Sequence, residues 1–168
     1  MMPLTIRSGQ AHDLSRLVDI YNHYVTETHV TFDTEPFAVG ERTHWFTQFG
    51  ATGPYRLYVA ESDDTVIGYA TSLPFKPKPG YNTSVETSIY MDPENTGTGC
   101  GERLYGHLIR AIEAEESLHR AYGGIALPNA ASIKLHERLG FVHVASYHEV
   151  GFKFGKYWDV AWYEKDLS

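Results

Sequence analysis

SVETSIYMDPENTGTGCGERLYGHL, residues 84–108, combines three patterns that belong to one structural unit. Strand character ends at Met91, glycines follow at positions 97, 99 and 101, and an amphipathic helical pattern begins directly after them. A strand, a glycine turn and a helix in this order direct several backbone N–H groups, and the positive end of the helix dipole, toward one point. The stretch therefore predicts a turn that binds a phosphate group.

The whole chain has the composition of one globular domain spanning residues 1–168. Hydrophobic residues make up 42% of it and charged residues 21%, which is enough apolar side chain for a single core. The net charge of −7, without a basic run, argues against sequence-independent nucleic-acid binding. No apolar segment resembles a secretion signal or a membrane span, and the single Cys suits a reducing compartment. We expect a cytoplasmic protein with neither nucleic-acid nor membrane partners.

Hydrophobic periodicity predicts the elements on both sides of the glycine turn. Alternating or β-branched segments predict strands at residues 3–8, 55–61, 65–73, 84–91, 121–127, 141–146 and 156–164. Helical spacing predicts helices at residues 11–28, 40–49, 102–116 and 130–139, the last closed by Gly140. This order predicts an α/β (α+β) fold, in which a mixed sheet of about seven strands is flanked by about four helices.

The glycine turn does not match two common nucleotide-binding motifs. A Walker loop has a Lys after its glycines, whereas Glu102 follows them here. A dinucleotide fingerprint has the spacing G-x-G-x-x-G early in a βαβ unit, whereas this chain has G-x-G-x-G after several predicted strands. Cys100, at the start of the helix, has the position of an activated thiolate. We reject a nucleophilic role because a small buried Cys is common and the neighbouring amides already have a phosphate to bind.

The segment from Thr96 to Gly101 resembles the pyrophosphate-binding motif of the Gcn5-related N-acetyltransferase (GNAT) family. That motif is Gln or Arg, any two residues, Gly, any residue, then Gly or Ala. Thr96 departs from its first position and removes a side-chain donor, but the backbone amides of residues 97–102 remain. The resemblance implies acetyl-coenzyme A as cosubstrate, no metal, and the mostly antiparallel sheet of the GNAT fold.

A second segment, LPNAASIKLHERLGF at residues 127–141, resembles the part of the GNAT family that holds the pantetheine arm of the cofactor. Asn129 and Ser132 match that segment, which implies that both bind the cofactor. His136 stands where the family usually has a Tyr that protonates the leaving thiolate.

Over nearly its whole length the chain is similar to the phosphinothricin N-acetyltransferase subfamily, including members that act on methionine sulfoximine. The matching segments are IYNHY at residues 20–24, VTF at 30–32, TEP at 34–36, VETSIY at 85–90, LPN at 127–129 and GFKFGKYWDV at 151–160. This resemblance implies transfer of an acetyl group to the α-amine of a small acidic amino-acid analogue. It also implies a homodimer contact in the C-terminal region.

The resemblance places Glu86 at the reaction centre. A free α-amine is mostly protonated at neutral pH, so a general base helps the transfer, and a Glu becomes a better base when burial raises its pKa above about 4.3. Without the resemblance, an exposed strand position would explain Glu86 more simply. His136 has a side chain suited to relaying a proton to or from the amine, or to protonating the thiolate. The sequence leaves an acidic, basic or orienting role for His136 open.

The resemblance also implies the remaining candidate residues. Cofactor contacts are expected from Ile89, Tyr90, Met91, Gly97, Thr98, Gly99, Cys100, Gly101, Glu102, Asn129 and Ser132. Substrate contacts are expected from Phe32, Lys76, Lys78, Tyr81 and Tyr105. The backbone amides of Tyr90 and Met91 would stabilise charge on the thioester oxygen. The alternative for Lys76 and Lys78 is that both are solvated loop lysines, and the alternative for Tyr105 is that it only packs in the core. Lys78 stands where the subfamily commonly has Arg, and a Lys offers a point charge where an Arg donates two parallel hydrogen bonds.

Two further functions stay open from the sequence. The same fold can acetylate a polyamine, an aminoglycoside or a protein N-terminus, although a cationic substrate favours an acidic pocket and Lys76 and Lys78 predict a basic one. A coenzyme A-binding sensor without turnover is the second possibility. The presence of Glu86, Asn129 and His136 together argues against it.

Overall fold

The computed structural model describes residues 3–168 as seven strands and four α-helices. The strands are β1 (Thr5–Ser8), β2 (Leu57–Ser62), β3 (Thr65–Pro74), β4 (Ser84–Met91), β5 (Arg120–Ala126), β6 (Val142–Lys153) and β7 (Lys156–Asp166). The helices are α1 (Leu14–Glu27), α2 (Thr43–Phe46), α3 (Cys100–Glu113) and α4 (Ala130–Arg138). This is the predicted order of elements. None of the helices in the described part of the chain is long and apolar enough to cross a membrane.

The strands form one sheet in the order β1-β2-β3-β4-β5-β7-β6. Within residues 3–168, β4 and β5 are the one parallel pair, and all other neighbours are antiparallel. A parallel pair needs a crossover connection, and α3 supplies it. The predicted mixed, mostly antiparallel sheet flanked by helices is therefore confirmed.

Two cores lie on opposite faces of the sheet. Val85 and Met91 of β4 belong to the larger core, which packs beneath α3. Tyr69 of β3 belongs to the second core, which packs beneath α1. Because side chains alternate along a strand, Glu86 and Tyr90 point to the α1 face. α1 lies over β3 and β4, and the loop that follows it reaches β6 at Gly151 and Lys153.

Most predicted bounds lie within three residues of the observed ones, and two elements differ in kind or extent. The helix predicted at residues 40–49 is only a 3₁₀ turn at Val39–Arg42 followed by the short α2. The strand predicted to end at residue 146 continues as β6 to Lys153. β6 contains a bulge between Tyr147 and Gly151, where Glu149 takes a φ of 53°. The bulge interrupts the alternation of apolar and polar residues, which is the pattern that reveals a strand in a sequence.

Candidate active site

A wedge opens in the sheet between β4 and β5. Within the described residues, the two strands pair only through residues 84–86 and 120–122, although β4 continues to Met91 and β5 to Ala126. Over its whole length β5 pairs with β7 on its other side. Strand edges without a neighbour present backbone donors and acceptors. The wedge is therefore a polar slot for an extended ligand.

The glycine turn stands at the wide end of this wedge. Gly97 and Gly99 have φ values of 73° and 81°, in the left-handed region that favours glycine. A Cβ built on either residue would meet open space, so backbone conformation requires these glycines. Thr98 donates its hydroxyl to the Asn95 carbonyl at 3.0 Å. The amides of residues 100–102 form the first turn of α3, where no helical carbonyl precedes them, so the turn fits a diphosphate.

The end of β4 supports the turn from below. A Cβ built on Gly101 would lie 3.5 Å from Cγ of Met91 and 3.8 Å from Cδ1 of Ile89. α3 therefore begins in contact with the last residues of β4. Thr96, which departs from the family motif, donates its hydroxyl to the Pro93 carbonyl at 3.2 Å. Its side chain braces the turn and leaves phosphate binding to the backbone.

α4 begins beside the same wedge. Asn129 is its N-cap, and Oδ1 of Asn129 accepts from the amide of Ser132 at 3.2 Å. The side-chain nitrogen of Asn129, Nδ2, remains as a donor for a ligand. Because β4 and β5 are parallel, their C-terminal ends and the helices that follow them lie at one edge of the sheet. A groove of about 630 Å³ borders Asn129 between α4 and the β6–β7 hairpin.

His136 lies inside the core, with only 4% of its surface exposed. Nδ1 donates to the carbonyl of Ser132 at 2.8 Å, and Nε2 accepts from the hydroxyl of Tyr105 at 3.0 Å. These partners assign the proton to Nδ1 of a neutral ring. Burial lowers the pKa of His136, which also favours the neutral form. A Cβ on Gly123 of β5 would meet Nε2 at 2.6 Å, so the ring lies directly against that strand.

Tyr105 is fully buried and joins His136 to β4. Its hydroxyl lies 2.6 Å from Oγ1 of Thr87, and because the Tyr105 proton goes to His136, Thr87 is the donor. Burial raises the pKa of Tyr105. The chain of hydrogen bonds from Thr87 through Tyr105 and His136 to Ser132 ties β4, α3 and α4 together. This chain links the β4 side of the wedge to α4, the helix that follows β5.

Glu86 lies at the closed end of the wedge, as the last residue of β4 that pairs with β5. Its partner in the register is Tyr122. The carboxyl group is half-buried, and this burial raises the pKa of Glu86, while the nearby charge of Lys76 opposes the shift. Such a carboxylate is a better proton acceptor than a solvated Glu.

The loop after β3 places two predicted substrate residues around an aromatic ring. Phe75 stacks on Tyr122 with ring centres 4.4 Å apart. The ammonium of Lys76 lies 5.4 Å from the centre of the Phe75 ring, and the ring of Tyr81 lies 6.2 Å from it. Lys78 is exposed in the same loop, where its carbonyl accepts from the Tyr81 amide. Lys76 is also exposed, and it is the loop lysine whose charge acts on the pKa of Glu86.

Phe32 and Tyr90 reach the α1 face in different ways. Phe32 comes from the loop after α1 and lies against Gly151 of β6. The ring of Tyr90 packs edge-on against Tyr21 of α1 at 5.1 Å, and its backbone pairs with Tyr69 of β3. Burial raises the pKa of Tyr90 to about 12.

Glu86 and His136 therefore belong to opposite faces of the sheet, and the wedge is the opening between those faces. The N-terminal ends of α3 and α4 flank it on one face. The carboxylate of Glu86, the charge of Lys76 and the aromatic loop flank it on the other. A phosphate-bearing cofactor that enters from the helix side can meet a second substrate from the Glu86 side. This is the geometry of a two-substrate group transfer.

Sequence reasoning missed several residues of this region. Thr87 was missed because a buried hydroxyl partner has no sequence signature. Arg103, His107 and Arg110 line a groove of about 540 Å³ beside Gly99. These three residues follow Gly99 at intervals of about one helical turn, so they lie on one side of α3. That spacing would have identified them from the sequence. Arg138 also reaches this end of α3, where it pairs with Glu102 at 3.1 Å.

Comparison with known proteins agrees with this geometry. The family model of the acetyltransferase (GNAT) domain matches residues 6–162 of this chain. A phosphinothricin N-acetyltransferase of Streptomyces coelicolor is 55% identical over 96% of this chain and 95% of its own length. An L-methionine sulfoximine/L-methionine sulfone acetyltransferase of Salmonella typhimurium is 33% identical over 98% and 95%. The crystal structure of a GNAT phosphinothricin acetyltransferase from Sinorhizobium meliloti in complex with AcCoA has a TM-score of 0.93 at 30% identity, covering 99% of this chain and 90% of that one.

The wedge, the glycine turn and the mixed sheet define a coenzyme-dependent transferase. With the matched domain model and these relatives, the chain belongs to the GNAT acetyltransferase family. It is an N-acetyltransferase, and the predicted fold and family are confirmed.

Proposed function

We propose that this N-acetyltransferase transfers the acetyl group of acetyl-coenzyme A to the α-amine of a small acidic amino-acid analogue, such as phosphinothricin or methionine sulfoximine. The observation that carries the proposal is Glu86, a half-buried carboxylate with a raised pKa at the closed end of the wedge, with the charge of Lys76 beside it. A base for the amine and a cation for the acidic group then lie on one side of the sheet. The names of the relatives give the substrate class.

In the proposed reaction Glu86 is the general base. It removes a proton from the substrate ammonium, and the amine nitrogen then forms a bond to the acetyl carbon while the C–S bond breaks. Coenzyme A leaves as the thiolate, which takes up the proton that the nitrogen loses as the amide forms, so the products are the acetylated amine and the free thiol. Acetyl-coenzyme A supplies the acetyl group as an activated thioester. The raised pKa of Glu86 brings it closer to the pH at which a base is most effective.

The cosubstrate fits the residues on the other face. The amides of residues 97–102 would hold the diphosphate, and Asn129 and Ser132 the pantetheine arm. The amide of Asp92 donates to Ile67 of β3, so by alternation the N–H of Tyr90 also points to β3, and those of Ile89 and Met91 face the wedge. One of these two amides would donate to the acetyl oxygen as negative charge develops there. Because hydrogen-bond donors supply this stabilisation, the proposed mechanism uses no metal.

We assign His136 the orienting role of the alternatives that the sequence left open. Both ring nitrogens are engaged, one with Ser132 and one with Tyr105. Tyr105 is buried with its hydroxyl between His136 and Thr87. These residues would act by keeping β4 and α4 in position around the thioester.

The proposal extends to the assembly and location of the enzyme. The β6–β7 hairpin exposes Phe152, Phe154 and Tyr157 by 57–63%, a surface of the kind that a second copy covers. We propose a homodimer through this hairpin, in the cytoplasm, with neither nucleic-acid nor membrane partners.

The test replaces Glu86 by Gln and compares acetylation of phosphinothricin and methionine sulfoximine. Loss of a general base lowers kcat by roughly 10²- to 10⁴-fold, while the affinity for coenzyme A, measured by calorimetry, stays unchanged. Glu27→Gln, at an exposed position of α1, is the control and keeps full activity. An unchanged kcat in Glu86→Gln would refute the role of Glu86. Wild-type activity on neither compound would reject the substrate class, and cofactor binding without transfer to any amine would favour the sensor.

A further inference from the structure

Lys153, the last residue of β6, is a buried lysine, with 5% of its surface exposed. Its ammonium donates to the carbonyl of Thr31 at 2.8 Å and to that of Tyr24 at 3.4 Å. Tyr24 lies in the last turns of α1, where the helix dipole favours a cation. Burial lowers the pKa of Lys153, and the charge of Asp33 opposes this shift. The ammonium therefore joins the β6–β7 hairpin to the end of α1 and to the loop that follows.

The same loop carries Phe32, next to the bonded carbonyl of Thr31. The Phe32 ring lies on the backbone of Gly151, two residues before Lys153, because a Cβ built on Gly151 would be 2.2 Å from Cζ of the ring. Alternation along β6 places Gly151 and Lys153 on one face of the hairpin. One side of the hairpin thus holds both the backbone and the side chain of this loop.

A buried ammonium needs a reason, because desolvating a charge costs free energy that an apolar side chain would not. Both acceptors of Lys153 are backbone carbonyls. Unlike an apolar side chain, the ammonium donates directed hydrogen bonds. These bonds fix the backbone at Thr31 and, through it, the position of Phe32. Tyr21 secures the same residue from α1, with its hydroxyl 2.7 Å from Oγ1 of Thr31.

We propose that Lys153 is a positioning residue for the amine substrate, acting through the loop that carries Phe32. The loop spans from α1 to the hairpin on the sheet face of Glu86. With Phe32 as a wall of the substrate site, Lys153 sets where that wall stands. The inference rests on the proposed function, because it treats Phe32 as a substrate contact.

The experiment compares two variants that release the loop in different ways. Lys153→Met removes the ammonium at similar length, and Gly151→Ala displaces the Phe32 ring without touching the lysine. Both raise KM for phosphinothricin by about tenfold, the change that about 1.4 kcal/mol produces. KM for acetyl-coenzyme A and kcat remain within about twofold, since uniform substrate binding is lost and the chemistry is not. Lys156→Met is the matched control: it lies on the same hairpin, but its exposed ammonium contacts the Trp158 ring, and it leaves all constants unchanged.

A double-mutant cycle tests whether Lys153 acts through Phe32. In a Phe32→Ala background, Lys153→Met produces no further rise in the amine KM, because the wall it positions is already gone. Additive effects of the two substitutions would overturn the proposal. An equal loss in kcat and in both KM values would also overturn it, because a general structural defect would cause that pattern.

Backbone hydrogen exchange gives a readout that needs no substrate. Amides of residues 29–33 exchange faster in Lys153→Met and in Gly151→Ala than in the wild type or Lys156→Met, while protection in β2, β3 and β4 is retained. Unchanged exchange of the loop would overturn the proposal even if KM rises. If the wild type acetylated neither candidate amine, the proposed function would fail, and the exchange result alone would decide whether Lys153 positions the loop.

Discussion

At the scale of single residues, the pKa of Glu86 results from two opposing influences. Burial raises the pKa of Glu86, and the charge of Lys76 lowers it. A base must be deprotonated to act, so a raised pKa moves the acidic limb of the kcat/KM profile to a higher pH than a solvated Glu, near about 4.3, would give. Activity therefore rises with pH through the pKa of Glu86 and then levels.

Removing the opposing charge tests this balance. In Lys76→Met, only burial acts on Glu86, so the acidic limb of kcat/KM moves to higher pH and the amine KM rises as well. Lys78→Met, with an exposed lysine of the same loop, leaves the limb where it is. The measurement is the pH dependence of kcat/KM in buffers of constant ionic strength. A limb that stays fixed in Lys76→Met would contradict the assignment of that limb to Glu86.

His136 predicts a pH dependence of stability. Burial lowers the pKa of His136 in the folded protein, whereas an unfolded His titrates near about 6.5. The unfolded chain therefore binds more protons below that pH, and the stability that neutral His136 contributes is present above about pH 6.5 and lost as the pH falls toward the folded value. A Gln side chain does not titrate, so the His136→Gln variant does not lose stability in this way as the pH falls.

The measurement is the free energy of unfolding of wild type and variant between pH 5.5 and 7.5, set around the unfolded value of about 6.5. At the upper end His136→Gln is less stable by about 1–3 kcal/mol, since it disturbs buried hydrogen bonds. The difference from the wild type shrinks at the lower end. His44→Gln, at an exposed position, shows a constant difference across the range, and a constant difference for His136→Gln would refute the argument.

At the scale of elements, the sequence was most informative where one segment contains its own pattern. β4 was predicted with its observed bounds, and α4 with its closing Gly140, because periodicity and glycine chemistry are local. The second half of β6 was not predicted, because the bulge breaks the local pattern on which such a prediction depends. The opposite faces of Glu86 and His136 follow from register between distant strands. No single segment carries that information, so the placement of His136 beneath Gly123 needed the structure.

The glycine turn allows a test of its conformation. Gly99 has a φ of 81° with open space around a built Cβ, so Gly99→Ala costs about 1–2 kcal/mol of backbone strain and no steric clash. The strain tilts the first amides of α3, so calorimetry should show weaker binding of coenzyme A together with a lower Tm. Gly80→Ala, which also meets open space and has no positive φ, changes neither. Equal coenzyme A affinity in Gly99→Ala and wild type would argue against the turn as the diphosphate site.

At the scale of the whole molecule, the sheet ends in the long β6–β7 hairpin. β6 is an edge strand of the sheet, and a long edge strand is prone to association unless something covers it. Phe152 and Tyr157 pair across the hairpin with ring centres 5.0 Å apart, on the side opposite Lys153. The hairpin therefore has one face for the substrate loop and another, apolar and exposed, for the proposed second copy.

The dimer prediction follows from that division. Phe152→Glu combined with Tyr157→Glu places like charges on the exposed face of each copy, where they oppose each other across a symmetric interface. Sedimentation should show a dimer for the wild type at micromolar concentration and a monomer for the double variant. Val39→Glu, which adds a charge at another exposed apolar residue, should remain a dimer. A monomeric wild type would refute the interface. If the monomeric double variant retained the protection of residues 29–33 in hydrogen exchange, the two faces of the hairpin would be shown to act independently.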